Sequence, residues 1–83
     1  MTQALKCYPG FFKSIVDGTK TFDVRKNDRH FKVGDKLLLQ EFNGTENKYT
    51  GNEWEGSITY ILDDPDYCKK GFVILSIKER ENI

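Results

Sequence analysis

A small α+β fold, a mixed β-barrel of about five short strands with one main helix, is predicted by three observations on these 83 residues. One segment has the apolar period of a helix, and five others read as strands, four of them alternating with a period of two. The segments run strand, helix, strand, strand, hairpin, strand, strand, which leaves only one possible crossover helix and disfavours a doubly wound sheet. The length allows one domain, residues 1–83, with a core that cannot be large. Leu, Ile, Val and Phe make up 22 of the 83 residues, enough for the chain to fold.

The elements follow in order. Gln3 to Cys7 alternates, with Leu5 and Cys7 on one face and Lys6 on the other, and reads as a first strand. Pro9 suits a first helical turn, because the N–H it lacks would be unpaired there anyway. The helix is predicted from Pro9 to Asp17, with Phe11, Phe12, Ile15 and Val16 as its core stripe and Gly18 as its stop. Lys20 to Lys26 is a strand whose apolar face is expected to be Phe22 and Val24, and whose charged face carries Asp23 and Arg25. Asn27 to His30 is a turn, and Val33-Gly34-Asp35 a second one. Lys36 to Asn43 follows as a strand buried on both faces through Leu37, Leu38 and Leu39. Asn43 to Asn52 reads as an exposed hairpin tip. Trp54, Ile58, Tyr60 and Leu62 are expected on one face of the next strand, and Phe72 to Lys78 closes the set with Val73, Leu75 and Ile77 inward.

The net charge of zero hides a strong asymmetry. Residues 1–36 hold eight Lys/Arg against four Asp/Glu, residues 41–66 one against seven, and residues 67–83 four against two. If the fold keeps these regions on different surfaces, the first third of the chain offers an anion-binding patch; otherwise the halves neutralise each other across the fold. Cys7 and Cys68 are too few for a disulfide framework, and with His30 they show no zinc-site spacing. No cofactor or metal is expected. A signal sequence and a membrane-spanning run are both missing from the pattern, so a cytoplasmic location without a membrane partner is the expectation.

The functional signal concentrates in Gly18 to Arg29. Gly-rich phosphate loops, nucleophile elbows and metalloprotease pairs are absent, so acid–base chemistry would rest on carboxylates and lysines such as Asp23 and Lys20. The plain alternative is that Asp23 and Arg25, two apart on one strand face, pair with cross-strand partners as an ordinary surface salt bridge. Binding of a phosphate-bearing ligand fits the composition better. Lys20, Arg25, Lys26 and Arg29 supply cations within ten residues, Asn27 a base-edge or phosphate contact, and Tyr8, Phe31 and Tyr60 candidate stacking rings.

With those residues in place, the chain resembles the ASCH domain family of the PUA-like superfamily. That family's Gly-x-Lys-x-x-Glu-x-Arg motif after a helix is matched by Gly18-Thr19-Lys20-Thr21-Phe22-Asp23-Val24-Arg25, with Asp in place of Glu. The Leu5-Lys6 start, the Arg-Lys-Asn-Asp-Arg turn, the Val33-Gly34-Asp35 turn and the Ile58 to Asp64 stretch are similar to a compact bacterial and phage-associated branch without a settled function. The resemblance implies a PUA-like barrel, a cleft between barrel and helix lined by the motif's Lys20 and Arg25, and RNA or nucleotide binding; with the neighbouring residues, the expected binding set is Lys6, Lys20, Asp23, Arg25, Lys26, Asn27 and Arg29. Some ASCH members are instead amidohydrolases that deacylate modified cytidine with the motif Lys, a Thr three residues on and a later Glu. Here Asp23 stands where that Thr would be, so no catalytic residue is assigned. Were this chain such an enzyme, Lys20 and Asp23 would carry the chemistry. A third alternative is a protein-interaction module built on the acidic hairpin of Glu46, Glu53 and Glu55, which an exposed Trp54 would favour.

Overall fold

The structure, a computed structural model, describes residues 1–81. Five strands, β1 (Thr2–Cys7), β2 (Phe22–Lys26), β3 (Lys36–Asn43), β4 (Lys48–Leu62) and β5 (Phe72–Glu79), form one mixed sheet with a single helix, α1 (Pro9–Val16). The sheet order is β1-β3-β4-β5-β2, with β1 parallel to β3 and every other pairing antiparallel. The sheet is a half-barrel: β1 and β2 are its two ends, and each keeps one unpaired edge. Among the described residues no helix is long and apolar enough to cross a membrane.

The inner face of the sheet carries Leu5, Cys7, Leu37, Leu39, Trp54, Ile58, Val73, Leu75 and Ile77, and Phe12 and Ile15 of α1 complete this core. Each buried aliphatic or aromatic side chain of this kind contributes about 1.5–3 kcal/mol through removal from water. The helix buries a narrower stripe than its sequence suggests. Phe11 and Val16 stay more than half exposed, because eight residues resting on one sheet face present only one seam to it.

Two further expectations are corrected. Trp54 and Ile58 point inward, but a bulge between Ile58 and Tyr60 resets the alternation, so Ile61 packs against the core while Tyr60 is exposed. In β2 the faces are reversed. Register places Asp23 opposite Leu75 and Arg25 opposite Val73, both core positions, whereas Phe22 and Val24 lie opposite Ser76 and Ile74 and are nearly half exposed. Inward-pointing charge on an end strand also discourages pairing with a foreign strand at its free edge.

Candidate functional site

The end of α1 determines where the charged segment begins. Gly18, at φ +79°, takes the left-handed conformation, and the Ser14 carbonyl then accepts from the Thr19 and Lys20 backbone N–H groups at 3.0 Å each and from the Thr19 hydroxyl at 3.1 Å. A glycine is needed there because a Cβ disfavours that φ. This cap holds Lys20 over the start of β2.

Behind it lies a buried carboxylate. Asp23 is 5% exposed, accepts from Arg25 Nε at 2.7 Å, and stands 3.6 Å from Lys20 Nζ. Two cations on one carboxylate make its burial tolerable, since a single unpaired charge there would be strongly destabilising. Lys20 has other partners as well: its Nζ donates to the Phe22 carbonyl at 3.0 Å and lies over the rings of Phe11 and Phe22 at 5.0 and 4.8 Å from their centroids. Arg25 is held through Nε, and among the described residues its two Nη groups have no hydrogen-bond partner. The neighbouring Cys7 thiol is pushed up from its ordinary value, first by burial and then by the Asp23 charge, with Arg25 and Lys20 opposing. It behaves as an inert core thiol.

The free end of Arg25 opens into a cleft of about 390 Å³ between the unpaired edges of β1 and β2. It is lined by Ala4, Leu5 and Lys6 of β1, Arg25 and Lys26 of β2, Asp28, Arg29 and Phe31 of the segment that follows β2, and Tyr49 at the start of β4. The turn is pinned on both sides. Asn27 N–H donates to the Gly71 carbonyl at 2.8 Å, and Arg29 Nη1 donates to the Ala4 carbonyl on β1 at 3.1 Å. His30 adopts φ 51°, a left-handed conformation for which His is enriched, and this turns the chain from the cleft back toward Phe31. Lys6 lies over Phe42 at 4.3 Å and over Tyr49 at 6.0 Å, and Phe42 meets Tyr49 edge-on at 5.1 Å, so cation and rings brace one another.

Of the sequence-selected residues, the fold brings Lys6, Arg25, Lys26, Arg29 and Phe31 to this cleft. Lys20 and Asp23 stand behind it and hold Arg25. Asn27 is exposed and attached by its backbone, Tyr8 is exposed at the helix start with its ring beside Gly44, and Tyr60 is exposed on the far side of the β4 bulge; none of the three lines the cleft. No residue of α1 lines it either, so it is not a cleft between barrel and helix. Tyr49 and Asp28 were missed. Tyr49 sits 24 positions past the motif arginine, Arg25, in a hairpin whose reach only the fold reveals, and Asp28 carries the sign opposite to the cationic patch.

A larger groove of about 560 Å³ elsewhere on the sheet shares no residue with this one. Two of its cations are matched by acids, Arg80 with Glu55 at 2.6 Å and Lys78 with Glu81 at 3.2 Å, so it carries no comparable excess of charge. Trp54 is 6% exposed and belongs to the core. Among the described residues, no group of three or more His, Cys, Asp or Glu stands together as a metal site.

Fold and site together define a small α+β half-barrel with a cation-lined cleft between its sheet ends. The chain matches the family described as a domain of unknown function, DUF3850, over residues 2–77, and it belongs to that family. It is 32% identical over 65 residues to a protein of Escherichia phage P2 described as an "Uncharacterized 12.9 kDa protein in GpA 3'region". That match takes in 78% of this chain and 58% of the phage protein, so the chain spans somewhat over half the length of this relative.

Proposed function

We propose that the cleft between β1 and β2 binds RNA or a nucleotide, gripping phosphate with Arg25, Lys26, Arg29 and Lys6. The observation that carries this reading is the convergence of those four cations, from two strand edges and a turn, beside Phe31 and the half-exposed Tyr49. Phosphate recognition wants multiple N–H donors, and an unpaired base wants a ring face. Arg25 suits the first task because Asp23 occupies Nε and leaves the two Nη groups to act as a fork. On this reading the family is a compact ASCH-like branch of the PUA-like barrels, in which the motif Lys and acid support the motif Arg. The buried Trp54 removes the exposed ring on which protein docking at the acidic hairpin would have relied.

The test is filter binding of single-stranded RNA, duplex RNA and DNA at several salt concentrations. With three to four phosphates neutralised on a single strand, log affinity falls against log salt with a slope of roughly −2 to −3. Lys26→Ala flattens that slope by a little under one unit and weakens all sequences alike. An affinity indifferent to salt rules out this use of the cleft.

A further inference from the structure

One residue of the cleft is at odds with a surface that only tracks phosphates. Asp28 lines it together with four cations, and it forms no ion pair with any described residue. A carboxylate at that place repels a phosphate and lowers affinity for any polyanion, unless another part of the ligand donates to it. The cleft's 390 Å³ lies near the lower end of small-molecule sites and suits one nucleotide, not a run of them.

Resting on the nucleotide reading above, we propose that the cleft selects guanine, with Asp28 as the residue that reads the base. The argument is one of donor patterns. A carboxylate has two acceptor oxygens side by side and no donor. Guanine's Watson–Crick edge presents two adjacent donors, N1–H and the N2 amine, and so meets both oxygens at once. Cytosine and adenine offer one exocyclic amine beside a ring acceptor that faces the carboxylate unfavourably, and uracil offers one N–H flanked by two carbonyls. Tyr49 supplies the stacking face, being half exposed and fixed edge-on by Phe42, and a purine covers it more fully than a pyrimidine. Arg25 and Lys26 take the phosphate. Asp28 sits in a turn whose backbone is tied by its own N–H to the Lys26 carbonyl at 2.9 Å and by Arg29 to the Ala4 carbonyl at 3.1 Å.

The experiment is calorimetric titration of the full chain with GMP, IMP, AMP, CMP and UMP, repeated on Asp28→Asn and Arg25→Ala. GMP is expected to bind about 10- to 100-fold more tightly than AMP, CMP or UMP, the range of one bidentate base contact. IMP, which keeps N1–H and lacks the amine, falls in between. Asp28→Asn abolishes the preference while AMP and CMP bind as well or better, because the cations no longer share the cleft with a negative charge. Equal binding of all five nucleotides, weakened throughout by Arg25→Ala, overturns the guanine assignment and leaves the phosphate cleft standing. No binding of any nucleotide, together with salt-independent or absent RNA binding, overturns both. A GMP preference that survives Asp28→Asn also refutes the role given to Asp28.

Discussion

Asp23→Asn separates the contribution of the buried carboxylate from that of its shape. The substitution keeps the side-chain volume and one carbonyl acceptor but removes the charge that Arg25 and Lys20 share. The Arg25 Nε bond at 2.7 Å is charge-assisted, worth about 1.5–3 kcal/mol, and a neutral acceptor in its place retains about 1 kcal/mol. Lys20, at 3.6 Å from the carboxylate, adds about 0.5–1 kcal/mol. The expected loss is therefore about 1–3 kcal/mol, against a total stability of about 4–12 kcal/mol for a chain of this length. In urea unfolding, with a slope near 1 kcal/mol/M for so small a domain, the midpoint falls by about 1–3 M and the slope is unchanged. Glu55→Gln is the control. Its partner Arg80 is nearer still, at 2.6 Å, yet the two side chains are 53% and 71% exposed, and solvent screening reduces the expected change to below about 1 kcal/mol. Burial, not distance, sets the difference. A midpoint for Asp23→Asn within about 0.3 M of wild type, or additivity with Arg25→Gln in a double-mutant cycle, refutes the reasoning.

Other consequences can be checked in the same way. Gly56 has no room for a Cβ, which would be built into the Trp54 ring and the Lys78 carbonyl, so Gly56→Ala destabilises by about 2–3 kcal/mol; a thermal midpoint unchanged from wild type contradicts that packing. Asp35 is held below its ordinary value of 3.8, first by the Lys32 backbone N–H at 3.0 Å and then by the N-terminal ammonium and Gln3, with burial opposing. Its folded state binds the proton less readily than its unfolded state, so the stability it contributes is present above about pH 4 and is lost as pH falls through the folded value. Asp35→Asn should flatten the acid side of the stability–pH curve and leave its shape above pH 5 unaltered, which denaturation at a series of pH values measures.

Much of this molecule is determined within short stretches of chain. Pro9 and Gly18 bracket the helix because each acts on its own backbone, by fixing φ or by permitting a positive one. The Lys36–Asn43 strand has the bounds that its sequence indicates, and the grouping of Arg25, Lys26 and Arg29 is fixed by adjacency alone. Strand faces are another matter. Alternation in Phe22-Asp23-Val24-Arg25 establishes that two faces exist, but each face has a claim on the interior: one is apolar, and the other forms a closed set of charges once Lys20 is placed beside it. Only pairing with β5, which sets Asp23 against Leu75, decides between them. The Ile58–Tyr60 bulge likewise flips half a strand through one unpaired residue that leaves no compositional mark. The cleft is still less local, since Lys6, Arg25 and Tyr49 come from separate strands, and their meeting depends on which edges the half-barrel leaves unpaired. A sequence specifies which groups are available and how neighbours alternate; which of them share a space is decided by register and closure, because those depend on free energies summed over the whole sheet.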